Sequence, residues 1–258
     1  MLFLDRPDGS WLTVRQPMHA LVSGQMMQAW GAPGFAAPDP AEELATACAQ
    51  HDVAWMGWEA APTLDPRTGR PHNFRAVGAR QHAPMWAEGV TQALASWGPL
   101  VALLISRHGS RIYAAYEDRH QDHPDDAPAA RHYRATQGAL QARLADGLGL
   151  GAAELERMSA LVAVTDALSL AVCAGVQTAG GVGVAPLAAG GMVALGLTAA
   201  GPSLVLDPWP FAVPSLELSW QAQAFPAGTV WTEEAAMRAD LLAAPFIAQR
   251  ARLVPAAG

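Results

Sequence analysis

Apolar and polar positions alternate along the first sixteen residues. Leu2 and Leu4 lie on one side of Pro7-Asp8-Gly9-Ser10, Trp11 and Val14 on the other, and this period of two around a turn predicts a β-hairpin over residues 1–16. The period then changes. From Pro17, which suits the first turn of a helix, Leu21, Val22, Met26 and Ala29 recur at helical spacing to about Trp30. Residues 31–39, rich in Pro, Gly and Ala, read as a loop. A second helix opens at Pro40, with Glu42 and Glu43 placed favourably for its dipole. Leu44, Ala47, Cys48 and His51 share one face of it, and residues 50–59 continue as an apolar, helical run containing the adjacent pair His51-Asp52. Residues 61–74 are too broken by turn formers for a regular element.

Helical periodicity returns over residues 81–97, with His82, Met85, Trp86, Gly89, Val90 and Ala93 along one stripe. It recurs over 99–116, through Leu103, Leu104, His108 and Ile112. Residues 117–130, with His120, Asp122, His123, Asp125 and Asp126, read as a solvated loop, and further helices are expected over 131–146 and 154–174. The second of these, with a break near Ser159, holds Asp166 among Leu161, Val162, Leu168 and Leu170, and a carboxylate so placed requires a partner. Short β-prone runs come next, at 191–197, 203–206 and 215–221, whereas Gly180-Gly181-Val182-Gly183 reads as a turn. An amphipathic helix over 231–251 closes the chain. The expected fold is therefore mainly α: a helical bundle with a small antiparallel β layer formed by the N-terminal hairpin and the C-terminal strands. It is read as a single domain, 1–258, with a helical core at 17–175 and a β-rich layer plus closing helix at 1–16 and 176–258.

Composition narrows the chemistry. All sixteen cationic residues are arginine and the net charge is −7, so Schiff-base and P-loop lysines are excluded and no basic stripe points to nucleic acid. Cys48 and Cys173 belong to no CxxC pattern and read as small core residues. No signal-like start is present, which predicts a cytoplasmic protein. The uncharged stretch 167–206 is interrupted by glycines and by Gln177 and Thr178, which argues against a membrane span.

Six donors stand out: His19, His51, Asp52, His82, His108 and Asp166. Steps of 32, 31, 26 and 58 residues from His19 through His51, His82 and His108 to Asp166 deliver roughly one donor per helix, the arrangement that converges inside a bundle. Taken singly, each inward histidine is more often a satisfied core residue than a ligand. The order His, His-Asp, His, His, Asp resembles the HD-domain superfamily in its dinuclear-metal form. That resemblance implies an HD-like helical bundle in which His19, His51, Asp52 and Asp166 hold one ion, and His82 and His108 a second, with Asp52 bridging. Unlike many HD enzymes, the pair is followed by Val53, Ala54 and Trp55 rather than by a glycine and a lysine. The phrases Gln16-Pro17-Met18-His19, 65–71, Asp166-Ala167-Leu168-Ser169-Leu170 and 207–211 also resemble the uncharacterised domain-of-unknown-function 3891 family over nearly the whole chain.

The expected cofactor is two divalent transition-metal ions, iron foremost, with manganese or zinc as alternatives. Arg67 and Arg70 are candidates to clamp an anionic substrate group, and His72 to act as acid or base. Three readings result: hydrolysis of a small-molecule phosphoester, oxygenation of a small organic substrate at a di-iron centre, or a non-catalytic metal- or ligand-binding protein. The expected partner is a small-molecule substrate, with neither nucleic acid nor membrane, and a homo-oligomer is possible.

Overall fold

A computed structural model describes residues 1–117, 124–176 and 179–256. His120, Asp122 and His123 of the expected polar loop, and Gln177 and Thr178, lie outside these residues. Strands β1 (Leu2–Asp5) and β2 (Trp11–Val14) form the expected hairpin, and α1 (Gln16–Ala29), α2 (Ala41–Gln50) and the short α3 (Trp55–Ala60) come after it. The 61–74 segment contains a two-residue hairpin, β3 (Leu64–Asp65) with β4 (Arg70–Pro71), and a 3-10 turn begins at Phe74. Then come four long helices, α4 (Ala79–Trp97), α5 (Pro99–Glu117), α6 (Asp126–Leu148) and α7 (Ala152–Ala174). The chain ends with β5 (Gly180–Pro186), β6 (Met192–Ala200), β7 (Ser203–Asp207), β8 (Leu216–Phe225), α8 (Glu234–Ala243) and β9 (Phe246–Pro255).

The expected mainly α architecture is not what forms. The protein is 51% helix and 23% strand, and its strands build a curled seven-stranded sheet in the order β1-β2-β8-β9-β7-β6-β5. It is mixed, because β7 pairs β9 in parallel while every other neighbour in it is antiparallel. Two local misreadings account for much of the difference. The helix expected over 231–251 ends at Ala243, because Pro245 has no N–H to donate and forces Ala244 into an extended conformation (ψ 130°). The next ten residues alternate part-buried Ile247, Gln249 and Ala251 with exposed neighbours, and form β9. The glycines of 180–183 likewise belong to an edge strand rather than a turn, pairing with β6 around a bulge between Gly181 and Val184.

Helix α7 lies in the curl of this sheet and touches both edge strands, β1 and β5, as well as α1, α2 and α5. Its part from Met158 onward is largely buried among these neighbours, which explains why that part is mostly apolar. It is long and apolar enough to cross a membrane, and 61% of that window is buried here. No break occurs at Ser159, whose hydroxyl donates to the Leu155 carbonyl at 2.7 Å within the continuous helix and accepts from Arg107 Nε. A main apolar core joins the helices to the sheet, and a second cluster around Trp11, Trp55, Trp58, Phe225 and Trp231 lies beside it.

Two glycines set how closely the site-bearing segments approach. A Cβ on Gly24 of α1 would lie 2.7 Å from Ala49 Cβ of α2, and one on Gly89 of α4 would lie 2.8 Å from Ala54 Cβ, just after the His51-Asp52 pair. Bulk at either position must push an element away. Gly24→Val is therefore expected to destabilise the protein by about 1–3 kcal/mol in urea unfolding, with part of the loss recovered by adding Ala49→Gly. Unchanged stability of the single variant would show that α1 and α2 are not in this tight contact.

Candidate metal centre

His19 projects from α1, His82 from α4, His108 from α5 and Asp166 from α7. The chain leaves α2 at His51 and turns through 51–54 before α3. That turn matters, because adjacent positions of a continuous helix diverge by about 100°, and here both His51 and Asp52 are buried at the same site. Four histidines and Asp52 are at most 7% exposed. The Asp166 side chain is 17% exposed.

The contacts form a connected set. His19 Nε2 lies 2.7 Å from Asp52 Oδ2, and His51 Nε2 lies 3.2 Å from Asp166 Oδ1. The other oxygen of the same carboxylate, Asp166 Oδ2, is 3.6 Å from His108 Nε2, so Asp166 spans between two histidines. Donor atoms of His19, His51 and Asp166 all lie within 4.8 Å of one another. Ligands sharing one ion at about 2.0–2.2 Å each stand roughly 3–4 Å apart, so small side-chain movements close this set. His82 lines the same cavity as Asp52, His108 and Asp166, and the Asp52 charge acts on it.

Protonation fits metal binding. Ser169 Oγ donates its hydrogen to the Asp166 carbonyl at 2.9 Å, so its 2.9 Å contact with His19 Nδ1 requires the imidazole to donate there. The other ring nitrogen, Nε2, faces Asp52 Oδ2 at 2.7 Å. His51 Nδ1 donates to the Cys48 carbonyl at 2.7 Å, so Nε2 is the nitrogen turned towards Asp166. His51 Nε2, His82 Nε2 and His108 Nδ1 are buried without a hydrogen-bond partner among the described residues. Orphaned imidazole nitrogens beside two carboxylates are what a divalent ion would satisfy, so the donor set fits such an ion.

The electrostatics divide the histidines into two kinds. Burial pushes His82 and His108 down to about 4, keeping both rings neutral, the state that ligates. At His51 burial also works downward, but the carboxylates of Asp52 and Asp166 prevail and push it up to about 9. Asp52 and Asp166 are held below the usual carboxylate range, since the neighbouring histidines outweigh the opposing effect of burial.

Sequence reasoning missed several residues of this site. Gln16 donates from Nε2 to Asp52 Oδ2 at 3.2 Å, while its own backbone N–H is held by the Glu59 carboxylate. Ser169 orients His19, and Ser23 donates to Ser169 at 3.0 Å. Gln16 is three residues before His19 and Ser169 three after Asp166, so same-face helical spacing was the available signal. Tyr113, whose hydroxyl lies 2.8 Å from His82 Nδ1, and Arg75, which lines the cavity, gave no such signal.

The three residues expected to act on substrate sit elsewhere. Arg67 is bound to Asp65, Arg70 pairs with Asp5 and lies over the Trp11 ring, and His72 Nδ1 contacts Thr63. None of the three lines the cavity beside the donors, which has a volume of about 320 Å³.

The chain matches the family model described as "Protein of unknown function (DUF3891)" over residues 1–227. No match is found among curated proteins or among solved structures.

Two outcomes are expected. His51 is raised above the ordinary 6.5 in the folded, metal-free protein. Its stabilisation is therefore complete below about pH 6.5 and lost as pH rises to about 9. The melting midpoint of chelator-treated protein should fall across that window, and saturating zinc should remove the fall; a flat profile without metal would contradict the His51 pairing. Ser169→Ala should lower metal affinity about 10- to 100-fold in a competition titration, because His19 loses the acceptor that fixes its tautomer. An unchanged affinity would place His19 outside the metal shell.

Proposed function

The chain belongs to the DUF3891 family, and we propose that it is a metal-dependent enzyme of HD type that hydrolyses a phosphoester of a small molecule at a dinuclear centre. The observation that carries this reading is the connected set of four imidazoles and two carboxylates, of which Asp52, His82, His108 and Asp166 line one cavity and His19 and His51 pair with the two carboxylates, with three imidazole nitrogens unpartnered among the described residues. His19, His51, Asp52 and Asp166 would hold one divalent ion, and His82, His108 and Asp52 the second. Bound divalent ions of this kind supply charge stabilisation and lower the pKa of a bound water.

The chain's own residues do the rest. Gln16 and His19 fix the orientation of Asp52, and Ser169 together with the Cys48 carbonyl set the tautomers of His19 and His51. Arg75 at the cavity rim supplies a positive charge to an anionic substrate. Trp55, Phe74 and Trp86 exclude water from the wall, which strengthens the electrostatics within.

That aromatic wall also favours a second reading, a di-iron oxygenase acting on an organic substrate, because histidine-rich N/O ligation suits iron. The two separate experimentally. Protein purified without chelator should contain near two transition-metal ions per chain, and His82→Ala or His108→Ala should each lower that by about one while the fold persists. Metal-dependent release of inorganic phosphate from small phosphoesters is expected. Dioxygen consumption by the reduced iron form, with no phosphate release, would replace hydrolysis by oxygenation. A content below about half an ion per chain would overturn both.

A further inference from the structure

Beyond the donors, the cavity is lined by a run of rings that ends in a cation. The His108 and Trp86 ring centroids are 5.8 Å apart, Trp86 and His82 4.7 Å, His82 and Trp55 4.6 Å, and Trp55 and Phe74 6.5 Å. The Arg75 guanidinium then lies 5.3 Å from the Phe74 ring centre. Trp86 and Trp55 are buried, Phe74 is partly buried and Arg75 is exposed, so the series runs from the donors outward to the mouth. Val77, Ile112 and Leu170 complete the apolar wall.

Arg75 is well placed to meet a ligand. Its backbone N–H donates to Asn73 Oδ1, which caps the 3-10 turn Phe74–Ala76 and fixes the residue at the rim. Among the described residues no carboxylate pairs with its guanidinium, and no other cationic side chain lines the cavity. By contrast, Arg67, Arg70, Arg107 and Arg111 all carry carboxylate partners.

Size and wall chemistry restrict what fits. A volume of about 320 Å³ corresponds to roughly ten waters at liquid density, room for one ring with its substituents. Flat apolar bodies are favoured between Trp and Phe faces, whereas the hydroxyls of a polyol would lose water there without replacement partners.

Building on the dinuclear reading above, we propose that the substrate is a small, flat, single-ring molecule carrying its reacting ester at the donor end and a second anionic group, of carboxylate size, at Arg75. The guanidinium fork matches a carboxylate bidentately, and a dry wall beside it strengthens the pair.

The test uses inert ligands, so that it does not depend on turnover. Binding of 4-carboxyphenylphosphonate, phenylphosphonate and propylphosphonate to the zinc-loaded protein is measured by calorimetry, with metal content verified in each sample. Affinity should fall by roughly tenfold or more at each step in that order, the first step losing a charge-assisted hydrogen bond and the second a buried ring. Arg75→Gln should bring the carboxylated ligand to within about twofold of phenylphosphonate, by loss of that charge-assisted bond. Equal affinities for the three ligands, no binding to fully metal-loaded protein, or a carboxylate preference that survives Arg75→Gln would each overturn the inference. The predicted order without hydrolysis of the matching phosphoesters would leave the ligand class standing and remove only the hydrolytic reading.

Discussion

Two carboxylates taken out of water into the interior of a protein must be neutralised from within, and the arrangement of the centre stems from that requirement. Asp166 sits on α7, in the curl of the sheet, and Asp52 on the turn that ends α2. His19 and His51 answer their charge directly, at 2.7 and 3.2 Å. A second layer of polar contacts then fixes the imidazoles, through Ser169, Ser23 and the Cys48 carbonyl. Every helix that approaches α7 or the 51–54 turn does so under this constraint. Close backbone approaches at Gly24 and Gly89 are its steric expression.

His82 and His108 differ from the first pair. Burial dominates at both, and each keeps a nitrogen without a hydrogen-bond partner among the described residues. The centre thus divides into a half in which His19 and His51 face carboxylates and a half in which burial keeps His82 and His108 neutral. A buried donor left unmatched is costly to the apo fold. Its persistence here is the strongest physical argument that the site exists to be filled.

The helices were legible because each carries a strong apolar stripe, and the donors because each lies on such a stripe: His82 among Trp86, Gly89 and Val90, His108 among Leu104 and Ile112. Strands were harder. In β5 four of seven residues are small, so no alternation of large side chains marks the strand, and its identity comes from pairing with β6. β9 was masked by the preceding helix, although Pro245 held the signal that α8 must stop. Arg67, Arg70 and His72 drew attention as polar residues in a loop, yet their partners Asp65, Asp5 and Thr63 are local or lie on the hairpin. Arg75, two positions after the segment's last turn former, faces the cavity because of a backbone cap that only three dimensions reveal.

The order of strands decides how the sheet is completed. β9 is the last strand in sequence, yet it lies between β8 and β7 and, among the described residues, is the hydrogen-bonded link between the β1-β2-β8 ribbon and the β7-β6-β5 ribbon. Until residues 246–255 are in place the two ribbons are separate sheets, each wrapping one side of α7. This strand therefore acts as a keystone: it joins the two ribbons around the helix carrying Asp166 while contributing no side chain to the cavity beside the donors.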